Sequence, residues 1–331
     1  MGRKITKAIS LFSGGLDSIL ATKLILEQSI EVEAVNFITV FYDCVSEAQE
    51  TAGELGIKLK IFDVNKEFFK VLKNPNYGYG SNLNPCIDCH IFMLRKAGEY
   101  MKEAGAQFLV SGEVLGERPM SQNKVSLKII EKNSGLEGLI LRPLSAKLLE
   151  PTIPEKEKWV DREKLLNING RSRKPQIQLA KDFGISDYSS PAGGCLLTDP
   201  AFAGRMKDLM KHKKDFEIND VEFLKVGRHF RLGEKVKLIV GRNEQENDKL
   251  LTLAGEGDLY FYPTGAKGPV GIGRGIFDKK QIITASGIIA RYCDKDVEEE
   301  PEIAYRHLPA QAIDLIKAKS MKEEKLNLLR I

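Results

Sequence analysis

The sequence predicts an α/β fold, with a doubly wound parallel sheet over residues 1–205 and a smaller α+β domain over 206–331. Three observations carry that reading. Short apolar runs alternate with longer mixed segments in the first part. A turn rich in glycine and serine directly follows the first apolar run. Past Arg205 the texture changes to a charged stretch, 207–220, and then to β-like runs punctuated by glycines at 265, 268, 271, 273 and 275. In order, 8–12 reads as a buried strand, 18–28 as a helix and 32–41 as a second strand. Residues 47–55 read as a helix ended by Gly56, 59–64 as a third strand, 91–104 as a helix closed by Gly105, and 108–111 as a further strand. Strand-helix-strand repetition at this spacing implies crossovers in a parallel sheet. In the second part 236–240 and 259–262 read as strands, and 310–329 as an amphipathic C-terminal helix.

At 331 residues and 42% hydrophobic content the chain can bury one large core or two, which excludes disordered and fibrous classes. No run approaches the roughly 18 to 20 apolar residues of a membrane-spanning helix, and no basic-then-apolar leader opens the chain, so no membrane partner and a cytoplasmic address are expected. The net charge of +4 does not by itself argue for nucleic acid, because a polyanion needs only a local basic face. Five cysteines form an odd count without an export signal, which favours metal or thiol chemistry over a disulfide framework.

The sharpest local signal is Ser13-Gly14-Gly15-Leu16-Asp17-Ser18, placed where the first strand gives way to the first helix. Glycines let backbone approach an anion, serine hydroxyls donate to phosphate oxygens, and a helix N-terminus offers free N–H groups. An acid in such a loop is useful when a cation sits on the phosphates, so Asp17 is expected to hold Mg²⁺. A plain capped turn is the alternative. The loop is not a Walker A motif, which needs Lys-Ser or Lys-Thr after its second glycine.

Asn84-Pro85-Cys86-Ile87-Asp88-Cys89-His90 sets two thiols at C-x-x-C spacing, and Ser190-Pro191-Ala192-Gly193-Gly194-Cys195 supplies a third. Three cysteines on a four-iron four-sulfur cluster leave one iron open to exogenous sulfide. Zinc, with His90 or a carboxylate as fourth ligand, is the weaker alternative. A third reading makes Cys195 a persulfide carrier resolved by Cys86 or Cys89. Cys44 and Cys293 show no partner pattern and read as core residues. A second segment, Ser111-Gly112-Glu113 through Gln122, follows a strand and so should emerge at the same sheet edge as the glycine loop. Lys181 and Asp182 could face the same cleft, and the basic turn 170–175 could meet a phosphate backbone.

The loop at 13–18 resembles the PP-loop of the ATP pyrophosphatase superfamily, whose members adenylate a carbonyl oxygen and release pyrophosphate. That resemblance implies that Ser13, Gly14, Gly15, Asp17 and Ser18 hold the pyrophosphate portion of ATP, with Asn36 and Phe37 near the adenine. Residues 84–90 resemble the Asn-Pro-Cys-x-x-Cys-Asn signature of the tRNA 2-thiouridylases, with His90 where that family has Asn. Residues 111–122 resemble the Thr-Gly-x-x-Leu-Gly-Gln-x-x-Ser-Gln segment of the 4-thiouridine synthetases, and Leu141-Arg142-Pro143-Leu144 resembles the Arg-Pro-Leu that follows it. This implies Gly112, Glu113 and Gln122 at the nucleotide and Arg142 near the phosphates, with Glu117 departing from the family's Gln. Residues 236–248 resemble the RNA-binding domain of the NFACT proteins, which implies that Lys237, Arg242, Lys267 and Arg274 contact RNA phosphates; a dimerisation or lid domain is the alternative.

Together these imply ATP-dependent thiolation of a tRNA uridine, with Asp17, Cys86, Cys89 and Cys195 as catalytic residues and the three cysteines as metal ligands. ATP, Mg²⁺ and an iron-sulfur cluster are the implied cofactors. The implied partners are tRNA, a sulfur donor (sulfide or a persulfide carrier protein) and a second copy in a homodimer. The rival readings are an ammonia-using PP-loop ligase or amidotransferase, and a non-enzymatic RNA-binding protein with a vestigial ATP site.

Overall fold

The computed structural model describes residues 6–42, 44–186, 188, 194–294 and 300–331, which leaves residues 190–193 of the expected cysteine turn outside the described residues. Contacts divide the chain into Met1–Thr198 and Asp199–Ile331. The expected boundary at 205/206 falls inside a helix that packs within the second unit.

In the first unit the chain runs through strand β1 (Lys7–Leu11), helix α1 (Leu16–Leu26), β2 (Glu31–Ile38), α2 (Val45–Glu54), β3 (Lys58–Asp63), α3 (Asn65–Lys73) and α4 (Cys86–Glu103). It continues with β4 (Phe108–Ser111), α5 (Lys124–Ser134), β5 (Ile140–Leu141), α6 (Ile153–Lys156) and α7 (Lys174–Asp182). The five strands form one sheet in the order β3-β2-β1-β4-β5, every pairing parallel. The expected doubly wound sheet is present. β5, with two residues, is too short to show a pattern in sequence.

Alternation along β1 sends side chains to both faces of the sheet, as strand geometry requires. Ala8 joins α1, Phe108 and Val110 on one face, while Ile9 joins Val35, Leu109 and Leu94 of α4 on the other. Helix α1 is buried on most of its circumference, and its Thr22 hydroxyl meets Ser10 of β1 at 2.7 Å. A sheet covered on both faces is why these strands read as continuous apolar runs.

The order reverses beside β1, because β2 lies on one side and β4 on the other. A crevice opens at such a point, beyond the carboxyl ends of the strands. Here the loops after β1 and β4 press together: a Cβ on Gly112 would lie 2.7 Å from the carbonyl carbon of Asp17 and 2.7 Å from the amide of Ser18. Gly14, at φ +74°, lies as close to the backbone of α2.

The second unit comprises α8 (Pro200–His212), α9 (Ile218–Leu224), β6 (Arg228–Gly233), β7 (Val236–Val240), α10 (Glu244–Leu253), β8 (Leu259–Pro263) and β9 (Gly271–Arg274). It ends with α11 (Lys279–Arg291), β10 (Glu302–His307), β11 (Asp314–Lys317) and α12 (Glu323–Leu329). Its six-stranded sheet runs β11-β10-β8-β9-β7-β6, every pairing antiparallel. Helix α11 covers one face, burying Ala285, Ile288 and Ile289 against Leu238, Phe261 and Ile303.

One expectation fails here: 310–329 is not a single helix, since residues 314–317 form edge strand β11 and only Glu323–Leu329 is helical. Pairing with β10 places Ile316 opposite Ile303 toward the α11 core, a tertiary gain that outweighs local helix preference. No helix among the described residues is long and apolar enough to cross a membrane.

The contact at Gly112 yields a test. Gly112→Ala should lower unfolding free energy by about 1–3 kcal/mol through backbone displacement. Gly53→Ala, on exposed helix surface with nothing near its Cβ, should raise stability by up to about 1 kcal/mol. Urea denaturation of both variants checks the contrast.

Candidate active site

The crevice beside β1 is a cleft of about 370 Å³. Ser13, Asp17 and Ser18 line it from the loop after β1, and Asn36 and Phe37 from the end of β2. Gly112, Glu113 and Gln122 enter from the segment after β4, and Cys86, Cys89 and Cys195 complete the wall.

The glycine loop is held by its own hydroxyls. The Gly15 amide donates to Ser13 Oγ at 3.2 Å, and Ser18 Oγ donates to the Gly15 carbonyl at 2.8 Å. Gly15 caps α1 without a side-chain bond, so the first amides of the helix stay free for an anion. Among the described residues Asp17 Oδ1 is buried with no hydrogen-bond partner, while Oδ2 lies 3.5 Å from Arg173. Burial pushes the Asp17 carboxyl up, opposed by the charge of Arg173. An orphaned carboxylate oxygen beside free helix amides suits a cation bridging to phosphate.

Asn36 donates to the Phe12 carbonyl at 2.8 Å and leaves its own Oδ1 buried without a partner. That acceptor stands ready for an exocyclic amine such as adenine carries. Glu117, where the expectation placed a departure, also lines the cleft. Burial and the neighbouring Asp17 charge push its carboxyl up, toward the protonated form that can donate as an amide would.

Helix α4 begins at Cys86, five residues earlier than expected, with Pro85 as its N-cap. Cys86 and Cys89 therefore stand three residues apart on the first helical turn, on one face. Asn84 donates to Cys86 Sγ at 3.1 Å. Burial pushes the Cys89 thiol up, with further repulsion from Cys195 and Cys86, and it pushes the Cys195 thiol up to about 11. Three soft donors on one wall suit an iron-sulfur cluster, but no set of three or more His, Cys, Asp or Glu among the described residues converges as a metal site. His90 lines the same cleft, its Nδ1 2.6 Å from Glu113 Oε1, a bond that occupies one ring nitrogen and leaves Nε2.

The structure places Arg142 elsewhere than expected. It does not line the cleft but lies behind it, 2% exposed, its Nε donating to Glu113 Oε2 at 2.9 Å and its Nη1 to Glu131. The residue follows β5 directly, which directs it into the wall rather than onto the loop. Burial disfavours the Glu113 carboxylate, but Arg142 and His90 prevail and hold it at about 2. Lys181 and Asp182 are exposed on α7 and do not line the cleft. Of the basic turn 170–175, Arg173 reaches Asp17. Arg118 lines the cleft near Cys195 and was not singled out by its pattern. Cys44 is part-exposed, and Cys293 is partly buried against the α11 core.

Residues 4–150 match the family model of the thiamine biosynthesis protein ThiI, and residues 227–329 match that of the NFACT protein RNA binding domain. This chain is 25% identical over 245 residues to a probable tRNA sulfurtransferase of Methanothermobacter thermautotrophicus, covering 70% of this chain and 54% of that protein. It is 28% identical over 243 residues to the tRNA-specific 2-thiouridylase MnmA of Thermotoga maritima, covering 66% of this chain and 64% of that one. The chain thus spans about half to two thirds of the length of these relatives. Among solved structures, a 4-thiouridine synthetase–RNA complex with bound ATP matches at 24% identity and TM-score 0.38, over 54% of this chain and 52% of that one. The U34-tRNA thiolase NcsA of Methanococcus maripaludis, with its [4Fe-4S] cluster, matches at 17% identity and TM-score 0.32, over 68% and 73%.

The buried charge pair of Glu113 and Arg142 gives two expected outcomes. Arg142→Ala leaves Glu113 buried without its cation and should cost about 3–5 kcal/mol of stability by urea denaturation. Glu113 ionises at about 2 in the fold against 4.5 ordinarily, so its stabilisation is complete above pH 4.5 and is lost as pH falls toward 2. The Tm gap between wild type and Glu113→Gln should therefore narrow across that window in calorimetry.

Proposed function

We propose that this chain thiolates a uridine of tRNA at the expense of ATP, in the cytoplasm. The carrying observation is that the glycine loop and all three thiols, Cys86, Cys89 and Cys195, line one cleft. An ammonia-using ligase needs the loop but has no use for three sulfurs on the wall of one cleft. The names of the relatives support the same reaction class.

The pyrophosphate portion of ATP lies on the amides of α1 with Ser13 donating to it and Ser18 bracing the loop through the Gly15 carbonyl, and Asp17 would hold Mg²⁺, which when bound supplies positive charge for the phosphates. Asn36 and Phe37 receive the adenine. A uridine carbonyl oxygen, O2 or O4, attacks the α-phosphorus and pyrophosphate departs, so the oxygen becomes part of a good leaving group. Sulfide then attacks the ring carbon and AMP leaves with the original oxygen. Positioning of both partners in one cleft supplies much of the acceleration.

Cys86, Cys89 and Cys195 are the residues that would hold an iron-sulfur cluster, which when bound supplies a thiophilic Lewis acid for sulfide. A persulfide on Cys195 is less favoured, because burial pushes that thiol up to about 11 and a nucleophilic sulfur must be a thiolate. The second unit, matching an RNA-binding domain, would hold the tRNA.

The test is anaerobic reconstitution with iron and sulfide, incubation with unmodified tRNA and Mg-ATP, and mass spectrometry of the digested nucleosides. Thiouridine is expected from wild type. Cys86→Ser, Cys89→Ser and Cys195→Ser should each abolish it while sparing pyrophosphate release, and Asp17→Ala should lower pyrophosphate release by about 10²-fold or more, as loss of a positioned charge in a site does. ATP turnover with an intact cluster and no thiouridine would move the reading to the ligase class.

A further inference from the structure

The basic residues expected to carry RNA in the second unit are mostly committed elsewhere. Lys237 is 8% exposed and lies 3.8 Å from Asp208, and burial pushes its amine down to about 7. Arg274 bridges Asp220 at 2.9 Å and Asp258 at 3.3 Å, and lies against the Phe223 ring. Arg242 pairs with Glu246. Of the four, only Lys267 is exposed without an ion pair among the described residues. RNA bound to this unit therefore needs another surface.

The six-stranded sheet has one. Helix α11 covers one face throughout β6, β8 and β10, whereas α9 and α10 cover the other around Ile239 and Ile272, with Tyr260 of β8 partly buried at the edge of that cluster. Register places Tyr260 opposite Arg306 and Tyr262 opposite Ala304, and Ala304 opposite Leu315. These residues share the second face, away from Phe261, Tyr305 and Ile303, which pack in the α11 core. Tyr260 and Tyr262 stack on each other with centroids 4.9 Å apart and planes at 23°. The Arg306 guanidinium lies 5.6 Å from the Tyr260 centroid, and its Nη1 donates to the Ala310 carbonyl at 2.9 Å. Beside them Leu315 is 57% exposed. Lys317 on the same face is exposed and makes no ion pair among the described residues, while the carboxylate opposite it, Glu302, accepts from the Thr264 hydroxyl at 2.8 Å.

We propose that Tyr260, Tyr262 and Arg306 form a stacking platform for unpaired bases of RNA, with Lys317 at the edge for a phosphate. The inference rests on the RNA-binding role proposed above and assigns that role a surface. The chemistry favours RNA over a protein partner. Paired aromatic rings with a guanidinium offer π-faces to any base, and Arg306 and Lys317 outweigh the one carboxylate of Glu302 on this face, as a backbone of phosphates requires. A duplex keeps its bases stacked inside and cannot use such a face, so the fitting ligand is a loop or single-stranded end.

The experiment uses the full chain, fluorescence anisotropy, an unmodified tRNA transcript, a single-stranded oligouridine and a blunt RNA duplex. Wild type should prefer the single strand and the tRNA to the duplex. Tyr262→Ala should weaken binding to both about 5- to 100-fold, as loss of one base stack does. Tyr262→Phe, which keeps the ring, should stay within about twofold. The slope of log affinity against log salt should be unchanged in Tyr262→Ala, because stacking releases no counterions, and should fall by about one in Lys317→Gln. Tyr262→Ala binding as well as wild type would overturn the platform and leave the wider RNA reading standing; wild type that binds none of the RNAs would overturn both. A light-scattering mass of a dimer that Leu315→Asp splits, with RNA affinity unchanged, would assign the face to a second copy and overturn the proposal.

Discussion

The backbone of the loop after β4 rests directly on the backbone of the loop after β1, and Gly112 is the residue that permits it. With any side chain there, the two loops would separate, and the segment carrying Glu113 and Gln122 would no longer close over Ser13 and Asp17. The parallel sheet supplies the reason for the meeting. β1 and β4 are neighbours whose carboxyl ends point the same way, so whatever follows them must share one edge. The cleft is thus a consequence of strand order and of one missing methyl group.

Electrostatics then set what the cleft can do. Glu113 is kept ionised by Arg142 from behind and holds His90 at the front, so a buried chain of charge fixes the wall that faces the ligand. Opposite it, Asp17 has an oxygen without a partner among the described residues, and the Cys89 and Cys195 thiols are driven toward their neutral forms by burial. Groups left in such states gain most from an added positive charge. The same desolvation that destabilises a bare thiolate or carboxylate favours a site completed by metal and nucleotide.

The second unit shows the opposite economy of charge. Arg231, Arg274 and the buried Lys237 are paired to Asp208, Asp220 and Asp258, and they tie α8 and α9 to the sheet. Basic residues counted along the sequence therefore overstate the positive surface available to a polyanion. The aromatic face on β8 and β10 is assembled from strands distant in sequence, which is why no basic run or local motif announced it.

Much of the first unit was legible from residue order. The apolar runs of a sheet buried on both faces, the glycine loop after the first of them, and the C-x-x-C pair are local patterns, and each corresponds to an element at or near its expected position. Local pattern also places Val236–Val240 as a strand. What it could not decide depends on contacts between distant segments. β5 is two residues long and exists only through pairing with β4; Arg142 lies behind the cleft because that strand directs it there. Arg173 reaches Asp17 across more than 150 positions, a proximity no window can contain. Residues 314–317 are a strand because β10 offers them a partner, although their own composition accepts a helix. Sequence by itself determined which chemistry the chain carries, since side-chain identity and spacing are local. Tertiary structure decided which charges are free to use it, because pairing and desolvation are properties of neighbours in space.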